Sequence, residues 1–150
     1  MSAAAPSLSA LRVRDYMTSS LQTLNPDDRL IDAELLVRRS GVRHLPVVKD
    51  GNLIGLVTDR DVRRYAPSIL DSTPDEYNKI FEQTVISTVM TKQVQTIRPD
   101  APLAEAAEML YAQHRGCLPV MEDGQLVGII TRRDLLRFAN DILTGVRPLG

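Results

Sequence analysis

Two stretches of this sequence carry residue types in a spacing suited to binding chemistry: Thr58-Asp59-Arg60-Asp61 and Thr131-Arg132-Arg133-Asp134. A carboxylate accepts two hydrogen bonds in the geometry that vicinal sugar hydroxyls can donate. A threonine three residues earlier, at a helix start, stands beside free N–H groups suited to phosphate. Arg60, Arg132 and Arg133 fall in the first turn of those helices, where a cation is unfavourable for the helix dipole unless an anion is near. The pattern therefore admits ribose and phosphate at one helix start. It also admits a plainer use, since Thr-x-x-Asp can serve as an N-cap pair contributing about 1 kcal/mol to its helix. The two uses are compatible.

These stretches are two copies of one thing. Sliding the chain against itself by 73 residues aligns Val13–Tyr65 with Ile86–Phe138, 53 positions without a gap and 19 of them identical. Self-similarity at a fixed period is the mark of a duplicated structural unit. In each copy Met-Thr (17–18, 90–91) precedes a β-prone stretch, Leu21–Leu24 or Val94–Ile97, closed by Pro-Asp as a turn signal. Apolar residues then recur at Leu30, Ala33, Leu36 and Val37, and at Leu103, Ala106, Met109 and Leu110, which is helical spacing. Next, Asp50-Gly51 and Asp123-Gly124 lie between two apolar runs, a strong hairpin signal. Pro46 and Pro119 sit at the start of the first hairpin strand, where a missing N–H is tolerated. The Thr-x-x-Asp helix follows. Each copy thus reads β-α-β-β-α over about 53 residues, a size at which a lone domain is marginal, so two are expected to pack together. The class is α/β of the α+β type.

The expected organisation is a flexible tail over 1–12, repeat 1 over 13–65, a linker over 66–85, repeat 2 over 86–138 and a C-terminal tail over 139–150. Within the linker, Thr73-Pro74-Asp75-Glu76 reads as a helix start with proline at the first helical position. The net charge of the linker, four acids against one lysine, marks it as a solvated connector.

With 43% hydrophobic and 25% charged residues the chain reads as an ordinary globular protein, and 150 residues leave no room for a large multidomain enzyme. A net charge of −1 supplies no field for nucleic acid or anionic membrane. No apolar run approaches the ~20 residues a spanning helix needs, and residues 1–10 make a poor signal peptide. One cysteine, Cys117, cannot form an internal disulfide, so a reducing, cytoplasmic setting is expected. The two histidines, His44 and His114, stand at non-equivalent repeat positions and form no metal cluster. No P-loop, Gly-x-Gly-x-x-Gly, nucleophile elbow or Ser-His-Asp set is present, and the reading is non-enzymatic, with no catalytic cofactor.

The two copies resemble the CBS domain family, named after cystathionine β-synthase. The elements that carry the resemblance are Met-Thr, Leu-Pro-Val at 45–47 and 118–120, Gly-Leu-Val-Thr-Asp-Arg-Asp at 55–61 and Gly-Ile-Ile-Thr-Arg-Arg-Asp at 128–134, in the same order twice. The resemblance implies two repeats packed about a pseudo-twofold axis, with clefts between them that take adenosine-containing ligands. It implies that Asp61 and Asp134 bond the ribose hydroxyls and that Thr58 and Thr131 help to hold ribose or phosphate, with Arg60 and Arg133 beside them. The base is implied to lie against backbone at Ser19, Ser20 and Leu21 with His44, Leu45 and Pro46, and at Lys92, Gln93 and Val94 with Cys117, Leu118 and Pro119. The ligand so implied is AMP, ADP, ATP or S-adenosylmethionine, sensed by a stand-alone regulatory module acting on a partner enzyme or transporter.

Other readings stay beside this one. Arg38, Arg39 and Arg43 before His44 are phosphate contacts or a solvated helix end. Cys117, next to an apolar strand, suits a small half-buried side chain better than a nucleophile. Arg63-Arg64 and Arg132-Arg133 mark exposed helix faces or phosphate contacts rather than a nucleic-acid surface. A ligand-free assembly module, self-matching as a homodimer, is the alternative of a different class.

Overall fold

The computed structural model describes residues 7–66, 72–113 and 115–146. Its elements are a 3-10 turn Leu8–Ala10, then α1 (Val13–Tyr16), α2 (Leu30–Ser40), β1 (His44–Lys49), β2 (Asn52–Thr58), α3 (Asp59–Tyr65), α4 (Pro74–Gln83), α5 (Ile86–Val89), α6 (Leu103–Ala112), β3 (Cys117–Glu122), β4 (Gln125–Thr131) and α7 (Arg132–Leu143). The residues fall into two compact units. One runs from Gln22 to Val94; the other joins the stretch ending at Leu21 to the stretch beginning at Gln95.

In the first unit β1 and β2 form an antiparallel hairpin pairing His44 with Thr58 and Lys49 with Asn52. Asp50 and Gly51 turn it with φ of 51° and 79°. Two successive positive φ values suit the right-handed strand twist, and an Asp-Gly pair adopts them at low strain. The extended segment before α2 adds a single parallel bridge: Leu24 N–H donates to Pro46 O and Val48 N–H to Leu24 O, both at 2.9 Å. On the other edge, Leu56 and Thr91 exchange bonds of 3.0 and 2.9 Å. The expected first strand of each copy is therefore extended chain held by one bridge.

The second unit repeats this plan. β3 and β4 pair Cys117 with Thr131 and turn at Asp123-Gly124. Ile97 bridges Val120, and Thr18 exchanges bonds of 2.8 and 2.9 Å with Ile129.

Each unit closes its core with the lead segment of the other copy. In the first unit Ile86 and Val89 of α5 join Leu30, Leu45, Val47 and Val57; in the second, Val13 and Tyr16 of α1 join Leu103, Leu118, Val120 and Ile130. The same three backbone bonds hold each lead: Ile86 N–H to Asp28 O, Ser87 N–H to Pro26 O and Leu30 N–H to Thr84 O in one unit, Val13 to Ala101, Arg14 to Pro99 and Leu103 to Leu11 in the other. The compact units thus differ from the sequence repeats by this exchange of leads.

Two stretches differ from the sequence expectation. The linker is more than a solvated connector, because α4 turns Phe81 into the first core at 3% exposure and sets the tilted ring of Tyr77 against it, 4.9 Å between ring centres. Its negative charge sits on other faces, while Tyr77 and Phe81, four apart, share one. The expected capping holds, with Thr73 Oγ1 accepting from Glu76 N–H at 3.2 Å and Glu76 accepting from Thr73 N–H at 3.0 Å. At the other end α7 runs on to Leu143, through residues expected to form a tail, because Tyr16 Oη donates to Asp141 at 2.8 Å and its ring meets Phe138 edge-on at 5.3 Å. Residues 8–12, also expected as tail, include the buried Leu11. His114 lies outside the described residues.

Candidate functional site

Both Thr-x-x-Asp stretches stand where a hairpin strand runs straight into a helix. Thr58 closes β2 in extended conformation and Asp59 opens α3, so Asp61 reaches back to accept from Thr58 N–H at 2.9 Å while Thr58 Oγ1 accepts from Asp61 N–H at 3.1 Å. This is the reciprocal cap expected from the sequence. Thr58 and Asp61 are half-buried. Among the described residues Asp61 accepts this one bond from Thr58.

Asp134 is held differently. Its carboxylate accepts from Thr131 N–H at 2.8 Å and from Thr131 Oγ1 at 3.3 Å, both on Oδ2, while Oδ1 accepts from Thr18 Oγ1 at 2.9 Å. Arg137 Nη2 stands 3.7 Å from Oδ1. Asp134 is 6% exposed, the one buried charged side chain among the described residues. A charge so placed is tolerable only with this density of donors.

Arg60, Arg132 and Arg133 are exposed in the first turns of α3 and α7, and among the described residues none is ion-paired. Arg38 is tied to Glu34 at 2.5 Å, four positions back on α2, whereas Arg39 and Arg43 are exposed. Ser19 and Ser20 are exposed and Leu21 half-buried; Lys92 and Gln93 are exposed and Val94 half-buried. The exchange of leads groups these stretches otherwise than the sequence suggests. Ser19–Leu21 belong to the unit of Cys117, Thr131 and Asp134, and Lys92–Val94 to the unit of His44, Thr58 and Asp61.

Leu45, Pro46, Leu118 and Pro119 are fully buried, backbone included, and offer a ligand no accessible surface. Pro46 and Pro119 carbonyls already accept from Leu24 and Ile97. His44 is half-buried. Cys117 is 6% exposed, and burial pushes its thiol up to about 12, which leaves it neutral and without the thiolate a nucleophile needs.

Two grooves occupy equivalent places in the two units and, of these candidate residues, include Arg39 alone. One, about 480 Å³, lies among Ile97, Arg98, Asp100, Glu105, Met109 and Met121; the other, about 260 Å³, among Leu24, Asp28, Asp32, Leu36 and Arg39. Among the described residues no cluster of His, Cys, Asp and Glu could hold a metal, and no helix is long and apolar enough to cross a membrane.

Thr18 is the residue that sequence reasoning missed. Its signal was the Met-Thr pair common to both copies, but nothing local says that its hydroxyl meets a carboxylate 116 positions away.

The sequence model of the CBS domain matches residues 13–68 and 86–141, one match for each copy. The chain belongs to the CBS domain family. A CBS domain-containing protein of Dictyostelium discoideum is 36% identical over 140 residues, covering 91% of this chain and 96% of that one. Among solved structures, the AcuB protein of Vibrio cholerae superimposes with a TM-score of 0.74 at 32% identity, covering 89% of this chain and 93% of the other. The CBS-pair protein CBSX2 of Arabidopsis thaliana, solved in complex with AMP, has a TM-score of 0.72 at 31% identity over 88% and 98% of the two chains. The helix-and-strand pattern of this chain, with two CBS repeats and two small antiparallel sheets, is that of CBS-pair structures.

Proposed function

We propose that this chain is a non-catalytic regulatory CBS pair that binds an adenosine-containing ligand, AMP, ADP, ATP or S-adenosylmethionine, through its Thr-x-x-Asp stretches. The observation that carries the reading is the position of Asp61 and Asp134 at strand-to-helix junctions, with Arg60 and Arg133, unpaired among the described residues, in the same first turns. A carboxylate for a diol and a cation for a phosphate stand at one helix start. The AMP complex of CBSX2, at 31% identity over nearly the whole chain, supports the ligand class.

Binding regulates only as far as the ligand favours one arrangement of the protein over another. The partner that reads the change is an enzyme or transporter, and the site of action is cytoplasmic. Isothermal titration with AMP, ADP, ATP, S-adenosylmethionine and NAD tests the reading. Micromolar affinity for at least one adenosine ligand supports it, with the best ligand distinguishing a report on energy charge from one on methyl-donor supply. Absence of binding at millimolar concentration removes it.

A second reading, assembly without ligand, is favoured by one specific observation. Leu136 and Leu143 are 70% and 85% exposed and stand seven positions, two turns, apart on α7. A homodimer covering them without nucleotide, seen by sedimentation equilibrium, would support it.

A further inference from the structure

The two copies of the motif have the same backbone and different carboxylates. Thr91 pairs with Leu56 as Thr18 pairs with Ile129, each by two main-chain bonds. Yet Thr18 Oγ1 reaches Asp134 at 2.9 Å, whereas among the described residues the Thr91 hydroxyl makes no bond to Asp61. A carboxylate offers about four lone-pair positions. Among the described residues, Asp134 has filled three of them, from Thr131 N–H, Thr131 Oγ1 and Thr18 Oγ1, and Asp61 one, from Thr58 N–H. A vicinal diol needs two acceptor positions at once. Asp61 has them free, and Asp134 does not.

The cause of the difference can be traced to single residues. Tyr16 Oη donates to Asp141, and Arg137 Nη2 donates to Tyr16 O at 2.7 Å with its guanidinium 5.0 Å from the ring centre. These bonds tie the lead segment down on α7 just before Thr18. In the other copy the place of Tyr16 is taken by Val89, which has no hydroxyl, and the sequence position of Asp141 by Ser68, which has no carboxylate.

We propose that Thr18 acts as an internal competitor for the ribose position at Asp134, so that the chain holds one adenosine ligand, on the Asp61 copy. This rests on the proposed reading that the Thr-x-x-Asp stretches bind the ribose. Thr18 is then a specificity-determining residue that contributes no contact to the ligand.

The test is titration with AMP, reading the number of equivalents bound, on the full chain and its T18A, T18S, D61N and T18A/D61N variants, each checked for folding by circular dichroism. Thr18 uses its backbone to pair with Ile129, so T18A keeps the edge of the sheet. The expected result is one equivalent for the unaltered chain and for T18S, two for T18A, at least a tenfold loss of affinity for D61N, and one equivalent regained in T18A/D61N. Two equivalents on the unaltered chain, one on T18A, or undiminished binding in D61N would each overturn the proposal while leaving nucleotide binding standing. No binding to any variant would instead overturn the functional reading, and the proposal with it.

Discussion

Met17 lies so close to Gly128 that a methyl group placed on the glycine would fall 2.7 Å from Met17 Sδ and 3.1 Å from the Thr18 carbonyl oxygen. Gly55 faces Met90 in the same way, at 2.5 Å from its sulfur and 3.0 Å from Thr91 O. The Met-Thr pair and the hairpin glycine are thus two halves of one contact. The methionine covers the strand, the threonine backbone pairs with the residue after the glycine, and no side chain fits between them.

G55A and G128A are expected to destabilise the protein by about 1–3 kcal/mol each, the usual range for an overpacked contact that a flexible methionine can only partly relieve. Urea denaturation followed by circular dichroism checks this. A change within 0.5 kcal/mol would mean that the lead segments move aside without penalty.

Phe81→Ala should lower stability by about 3–5 kcal/mol, the range for a buried phenylalanine cut to alanine. The same denaturation experiment reads it. If α4 were a connector without a part in the core, the midpoint would hardly change.

The thiol of Cys117 should resist iodoacetamide in the folded protein at pH 8 and react once the chain is unfolded in urea, because only the thiolate is nucleophilic. The same burial makes stability depend on pH. The folded-state value of about 12 lies above the ordinary 9.0, so above pH 9 the unfolded chain binds fewer protons than the folded one. By linkage, this contribution is complete below pH 9 and is lost as the pH rises toward 12. C117A should lack that part of the alkaline decline, as a comparison of urea midpoints at pH 8 and pH 10.5 would show.

If a carboxylate reads the diol, 2′-deoxy-AMP should bind at least tenfold more weakly than AMP, since a site built to bond a hydroxyl rejects the analogue that lacks it. Competition between the two nucleotides provides the measurement. Equal affinity would move the ribose away from Asp61.

Much of the fold was legible because its signals are local. Asp-Gly between apolar runs specifies a hairpin wherever it stands, and Leu30, Ala33, Leu36 and Val37 specify a helix with a buried stripe. The helix at Pro74 was legible from Thr73 and Glu76 alone. The burial of Phe81 was not, because a charge total averages over faces that the helix keeps apart. The exchange of leads was also hidden. Met-Thr and the hairpin glycine are identical in both copies, so the sequence contains both halves of the contact without saying which copy of one meets which copy of the other. At the site, the pairing of threonine with aspartate could be read as a cap, whereas the extra bond from Thr18 depends on Tyr16 and Asp141, which lie outside the motif and 125 positions apart.

The traded lead segments also bear on where such a chain came from. A molecule carrying a single copy would have a sheet edge and a core without the α1 or α5 segment that completes them, and a lead segment of its own with nothing to complete. Two such molecules would finish each other by swapping leads. Joining two copies in one polypeptide would turn that exchange between strangers into one within a single chain, and leave each half free to differ, as Tyr16 and Val89 do.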